Sequence, residues 1–288
     1  MADHLRPTRR AAVLGLAAGA AMAGRSSAQS ASLRFGLTPV FLSSDLELLD
    51  RLKAYLEAAT GLRVELVSRR TYQEITTLLV SGELDAAWIC GYPFVAFQDR
   101  LSLVAVPVWR GRPLYQSYLI AAAGRGARSI AGLRGDVHAF SDPDSNSGYL
   151  VTAAELAAMK ERPETFFNRT LFTYSHRNVV RAVASGLAAS GSVDGYVYEV
   201  LREVAPDLVA STEIVRPSAW NPFPPIACPK SYEAAERTAR LRDALLRMAA
   251  AADGRAVLQL LRLDGFAIEP AAFFAPIALA MESVRGMG

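Results

Sequence analysis

The chain has 288 residues, of which 51% are hydrophobic and 20% charged, with a formal net charge of +3. That is apolar content for a full core, in one large domain or in two lobes. Residues 1–28 carry Arg6, Arg9, Arg10 and Arg25 against Asp3, so the positive excess lies there, the remainder is near neutral, and nothing left argues for a nucleic-acid surface.

The opening "RPTRRAAVLGLAAGAAMAGRSSAQS" has a basic start, an apolar middle and a small-residue cleavage pattern, the layout of an export signal. Arg9 and Arg10 give it a twin-arginine flavour, although Ala11 and Ala12 stand where a bulky apolar residue is usual, so both Tat and Sec export stay open. Cleavage is expected after Ala28, with Ser26 at the −3 position. The apolar run Ala11 to Ala23 falls short of the roughly 20 residues of a spanning helix.

After it, "LRFGL" (33–37) predicts a strand, and "SSDLELLDRLKAYLEAATG" a helix with capping-box spacing at Ser44 and Glu47 and an apolar stripe of Leu49, Leu52, Leu56 and Ala59 that stops at Gly61. "LRVELV" (62–67) predicts the next strand, Thr71 and Glu74 a second capping box, and "DAAWI" (85–89) a third strand. Strands alternating with helices across short turns imply parallel pairing in an α/β sheet.

The second half repeats that order: "YLIAAA", a helix-like "ARSIAGLRG", "VHAF", a hydroxyl-rich turn, a helix from about 150, "LFTY", a helix "RNVVRAVASGLA" and the strand-like "GYVY". "SGELDAAW" (81–88) and "SGSVDGYV" (190–197) echo one another, pairing Asp85 with Asp194 in similar lobes. "IVRPSAWNPFPPIAC" marks an extended connection, and the tail from "SYEAAERTAR" onward predicts helices without a new sheet, returning to the first lobe.

Enzymatic patterns are missing. There is no Gly-x-Ser-x-Gly elbow or Walker loop, "GRGARS" (124–129) lacks the full dinucleotide fingerprint, and "NRT" (168–170) is idle as a glycosylation acceptor behind a bacterial-looking signal. Past residue 28 only His138 and His176 remain, too few for the usual multi-histidine metal sites, and no cofactor is implied. Cys90 and Cys228 do not make a disulfide scaffold; buried free thiols are expected.

The turn "SDPDSNSGYL" (141–150) is different. A helix starting near Ser145, Asn146 and Ser147 directs unpaired N–H groups and partial positive charge at whatever lies before it, a setting that favours anions, and Gly148 allows close backbone approach. Two plainer readings stay beside this one: a simple helix cap, or a later start at "TAAE" (152–155). Asp142 and Asp144 weigh against a fully anionic guest unless they point outward or cap the turn. Thr38 and Tyr92 follow predicted strands, where parallel sheets place ligands.

In order, "LRFGLTPVF", "RTYQEITTLLVSGELDAAWICGYPFV", "FSDPDSNSGYL", "YSHRNVVRAVASG" and "GSVDGYVYE" resemble the periplasmic phosphonate, phosphite and phosphate binding proteins of ABC transporters, over nearly the whole chain after the signal. The resemblance implies a two-lobed class II periplasmic binding fold, each lobe a mainly parallel sheet flanked by helices, with two crossovers and the ligand between the lobes. It implies one lobe from 33–118 and 222–288 and the other from 119–221. In that family the turn usually reads Ser-Thr-Ser-Gly and holds the anion's oxygens; here it is Ser145-Asn146-Ser147-Gly148, an amide replacing the middle hydroxyl. His176 matches a histidine that faces the anion, as a cation or a neutral donor, the alternative being a capping or buried structural histidine. Tyr72 matches an aromatic lining the first lobe and Asp194 an acidic position that meets a ligand amine in some relatives; a core place for Tyr72 and a turn-forming role for Asp194 remain open.

The function implied is an exported, monomeric solute-binding protein, not an enzyme, that carries a small oxyanion to an ABC permease in the periplasm. A sensory partner of a membrane histidine kinase is the first alternative, and an enzyme on the same two-lobed fold is the second. In the arsenite-sensing form of the first, Cys90, in "WICGYP", supplies a thiolate for a soft ligand, against the plain reading of a small apolar residue.

Overall fold

The computed structural model describes residues 32–38 and 46–287, so the export segment 1–28 and the cap residue Ser44 lie outside the described residues. In chain order the first part runs β1 (Ser32–Leu37), α1 (Leu46–Thr60), β2 (Arg63–Ser68), α2 (Tyr72–Val80), β3 (Ala86–Trp88), α3 (Gly91–Ala96) and β4 (Leu101–Val108). A short β5 (Leu114–Tyr115) leads to β6 (Ser117–Ala122), β7 (Val137–Phe140), α4 (Val151–Ala158), α5 (Pro163–Phe166), β8 (Arg169–Phe172), α6 (His176–Ala184), β9 (Ser190–Asp194), α7 (Gly195–Val204), α8 (Pro206–Ala210) and β10 (Thr212–Pro217). The chain returns through β11 (Asn221–Pro222) and β12 (Ile226–Pro229) to α9 (Glu236–Leu246), α10 (Ala252–Leu261), β13 (Gly265–Ala267) and α11 (Ala275–Arg285).

Two mixed sheets result, ordered β13-β4-β12-β3-β1-β2 and β10-β6-β9-β7-β8. β1 pairs in parallel with β2 and β3, as the strand-helix-strand alternation predicts, because a parallel neighbour needs a crossover and α1 and α2 supply it. β12 re-enters the first sheet antiparallel between β3 and β4. The chain crosses between sheets once on each side, and the two crossings pair as the ribbon β5-β11. Trp88 Nε1 donates to the Pro224 carbonyl at 2.9 Å, fastening the end of β3 to the second crossing.

The local signals explain the helix starts. Thr71 caps α2 with the full reciprocal box to Glu74, and Gly61 terminates α1 at φ +68°, a conformation glycine adopts without penalty. Leu33, Phe35 and Leu37 share one buried face of β1, where each side chain contributes roughly 1.5–3 kcal/mol, while Gly36 on the other face leaves room for Leu84 and for Ile75 of α2. His138 is a structural residue. Its Nδ1 and Nε2 meet the Ser190 and Ser192 hydroxyls at 2.8 and 2.9 Å and its ring stacks on Phe167, tying β7 to β9; burial alone depresses it to about 3, so it is neutral.

Several expectations are corrected. The buried stripe of α1 is Leu48, Leu52, Tyr55, Leu56 and Thr60, while Leu49 is half-buried and Ala59 exposed, because the 3.6-residue period continues from Leu48 and Leu52 rather than Leu49. "ARSIAGLRG" yields a single 3₁₀ turn, Ile130–Leu133. "GYVY" is the first turn of α7; the strand is the preceding "SGSVD", since the Asp194 carboxylate accepts the Val197 N–H and starts the helix. Asp85 and Asp194 are therefore not equivalent. Asp85 precedes its strand and binds the Arg34 N–H and the Arg237 guanidinium, whereas Asp194 ends its strand. The helical tail also contributes a strand, β13, at the edge of the first sheet.

Candidate functional site

The turn after β7 begins with Asp142, whose carboxylate accepts the Asp144 N–H at 2.8 Å and, from the other sheet's side, the Tyr72 N–H at 3.2 Å. Asp142 thus closes its own turn and sits on the first N–H of α2, where the helix dipole favours a negative charge. Ser145 is the N-cap, its hydroxyl accepting the Gly148 N–H at 2.9 Å, and Asn146–Leu150 forms one π-turn that runs directly into α4. The helix begins at Asn146, not at "TAAE".

Gly148 is required. A Cβ there would sit 1.8 Å from the Ser141 hydroxyl and 3.0 Å from His176 Cε1. Two amides of this helix start already have protein acceptors: that of Gly148 goes to Ser145, and that of Asn146 to Cys90 Sγ at 3.2 Å. The sulfur comes from the other lobe and is a weak acceptor. A ligand oxygen is a better one.

Asn146 Nδ2 donates to the Tyr115 hydroxyl at 3.1 Å and to Asn221 Oδ1 at 3.4 Å, and the Ser147 hydroxyl is bonded to the same phenol oxygen. The Ser147 carbonyl accepts from the Ser117 hydroxyl at 2.6 Å. Tyr115 and Asn221 are the contributions of the paired crossings β5 and β11, and sequence reasoning missed both. The available signal was their place in Pro-flanked connections between two lobes, where ligand sites collect.

His176, the first residue of α6, is 1% exposed and pushed down to about 3 by burial, so its ring is neutral. Its Nδ1 accepts the Asp194 N–H at 3.1 Å, which puts the ring proton on Nε2. Nε2 then donates to the Tyr72 hydroxyl at 3.2 Å, bridging the lobes, and the Tyr72 O–H keeps its own proton to donate elsewhere. His176 is therefore no cation facing an anion; both ring nitrogens are engaged with protein.

Asp194 does perform the turn-forming role, accepting from Val197 and Tyr196 N–H, yet burial still raises it from 3.8 to about 7. Asp142 and Asp144 are raised as well, mainly by burial. Among the described residues none of these three carboxylates has an ion-pair partner within reach.

Cys90 and Cys228 are both free and buried, and burial pushes them up to about 12 and about 11, respectively. Thr38 is fully buried with its hydroxyl committed to the Trp88 carbonyl at 3.1 Å. Tyr92 is half-buried and lines, with Gln73, Thr76, Phe97, Arg100 and Asp144, a cavity of about 480 Å³ beside α2 and α3. Thus Tyr72, Cys90, Asn146, Ser147, His176 and Asp194 form one linked group with Tyr115, whereas the hydrogen bonds of Thr38 and the cavity of Tyr92 lie beside it.

Comparison with known proteins agrees with this architecture. Residues 35–270 match the family described as ABC transporter, phosphonate, periplasmic substrate-binding protein. A binding protein component of an ABC phosphonate transporter from Pseudomonas aeruginosa superposes with a TM-score of 0.82 at 22% identity, covering 90% of this chain and 88% of that one. PhnD1 from Prochlorococcus marinus in complex with methylphosphonate gives 0.79 at 16% identity, covering 88% and 98%. A Xanthomonas citri protein bound to ATP gives 0.70 at 19% identity, covering 90% and 98%. At these identities the structural likenesses speak for the fold, a class II periplasmic binding fold.

Proposed function

Because the chain belongs to the family of periplasmic substrate-binding proteins of phosphonate ABC transporters, we propose that the group around Ser145–Gly148 is where this protein holds a small phosphonate-type oxyanion. The lobes would be 33–118 with 222–288, and 119–221, moving about the β5-β11 ribbon, and the ligand would tighten the closed arrangement by binding it better than the open one. The closed monomer would then present its cargo to an ABC permease after export by a Tat or Sec signal. No bond is made or broken.

One observation carries the reading: the hydrogen-bond chain Asp194 N–H to His176 to Tyr72 joins the two lobes beside the helix start that ends at Cys90 of the opposite lobe. Such a chain leaves the Tyr72 O–H, and the Tyr115 O–H near it, as neutral donors for oxyanion oxygens. Arsenite sensing for a histidine kinase has less behind it, since Cys90 is the one cysteine in this group, is buried and already accepts the Asn146 N–H.

Titration calorimetry of the protein from residue 29 onward with methylphosphonate, aminoethylphosphonate, phosphite, phosphate and arsenite tests it. Saturable binding of a phosphorus oxyanion, without release of free phosphate from the phosphonates, is expected. No binding across the panel, or phosphate release, would overturn it.

A further inference from the structure

Asn146 is buried, and among the described residues its Oδ1 has no hydrogen-bond partner. The orientation of the amide is set by its neighbours. Asn221 Nδ2 donates to the Ala219 carbonyl at 3.0 Å, which turns Asn221 Oδ1 toward Asn146; only an N–H of Asn146 can satisfy that oxygen, so Nδ2 lies there and Oδ1 is the atom left over. An unpaired buried carbonyl is costly, and a ligand that supplies a donor removes the cost.

Resting on the proposed oxyanion site, we propose that Asn146 Oδ1 accepts a hydrogen bond from a protonated oxygen of the ligand, so that the protein selects the singly charged, P–OH form of a phosphonate over its dianion. A threonine hydroxyl at this position could donate to a bare oxygen, whereas the free oxygen of this amide can only accept. The surroundings point the same way. Among the described residues Asp142 and Asp194 are buried nearby without an ion-pair partner, and the Tyr72 and Tyr115 hydroxyls are neutral donors, so beyond the partial charge of the helix start no paired cation offsets a second negative charge. A monoanion with two bare oxygens and one P–OH matches the Tyr72 and Tyr115 hydroxyls and the Asn146 N–H as donors, with one carbonyl acceptor. Because the match lies in the oxyanion itself, it does not depend on what substituent the phosphonate carries.

The test compares methylphosphonate, whose only donor is its P–OH, with methanesulfonate, which is tetrahedral, singly charged and without an O–H proton. Calorimetric affinities are measured from pH 5.5 to 9 on wild type and on Asn146→Thr. The groups that titrate around the site are Cys90 before α3, Tyr72 on α2, Tyr115 on β5, Asp142 and Asp144 in the turn, His176 on α6 and Asp194 at the end of β9, with Arg285 of α11 acting on Tyr92. Their effect appears in both ligands and cancels in the affinity ratio, which isolates the ligand's own proton.

Wild type is expected to favour methylphosphonate by roughly 10- to 100-fold at low pH, the usual penalty when a buried polar group is left unpaired. The ratio should fall about tenfold per pH unit above the second dissociation of methylphosphonate. Asn146→Thr should shrink the ratio and flatten that slope. A wild-type ratio near one, a ratio independent of pH, or an unchanged ratio and slope in the variant would each overturn the inference while leaving the oxyanion site standing. If no phosphorus oxyanion binds wild type at any pH, the site reading itself fails, and this inference with it. The wild-type ratio decides alone if the variant does not fold.

Discussion

Asp194→Asn is the sharpest test of the site's electrostatics, because asparagine caps a helix as well as aspartate does and differs here mainly in charge. Burial raises the Asp194 carboxyl from 3.8 to about 7, against the opposing pull of the Val197 and Tyr196 N–H groups. Below 3.8 both folded and unfolded chains hold the proton, and above about 7 neither does. Between those values only the folded chain holds it, so folding stability falls as pH rises through the window. At about 1.4 kcal/mol per pH unit over roughly three units the loss is about 4 kcal/mol, of which about 3 kcal/mol falls between pH 5 and pH 8. Urea unfolding of the ligand-free protein at those two pH values, on wild type and variant, measures it. The variant should lack this component of the pH dependence and be the more stable protein at pH 8. It should also bind methylphosphonate more tightly than wild type at pH 8 and an ammonium-bearing phosphonate less tightly, since the carboxylate repels the first and attracts the second. A variant that is less stable than wild type at pH 8, with the same pH dependence, would show that Asp194 is ionised throughout and that the burial argument is wrong.

Two further outcomes follow from the packing. Gly148→Ala drives a Cβ to 1.8 Å from the Ser141 hydroxyl, an overpacking that should cost roughly 1–3 kcal/mol or more, lower the melting temperature and weaken oxyanion binding; Ser141→Gly in the same chain should restore part of both, and no change in either measurement would refute the geometry of the turn. Cys90→Ser replaces a weak acceptor of the Asn146 N–H with a stronger one, so methylphosphonate affinity should fall a few-fold by calorimetry, while arsenite gives no heat with either protein. Arsenite binding by wild type that the serine variant abolishes would bring back the sensor reading.

What the sequence makes legible is what local physics decides. The reciprocal box of Thr71 and Glu74 needs four residues, and the parallel pairing of β1 with β2 and β3 follows from the helices between them. "GYVY" misleads because a short apolar run does not separate a strand from the first turn of a buried helix; the deciding atom is the Asp194 carboxylate, which either caps or does not. The same limit applies at the site. "SNSG" announces a helix start able to meet an anion, but what each atom offers depends on partners far along the chain: Tyr115 is 31 residues from Asn146 and Asn221 is 75 away. The proton of His176 is placed by a backbone N–H 18 residues on, and only then does the Tyr72 hydroxyl become a donor. A motif therefore gives the class of guest, through the backbone it positions. The guest's protonation state is read by side chains whose free atoms are fixed by tertiary contacts, so that specificity in this fold should vary among proteins that share the turn yet differ in the crossings β5 and β11.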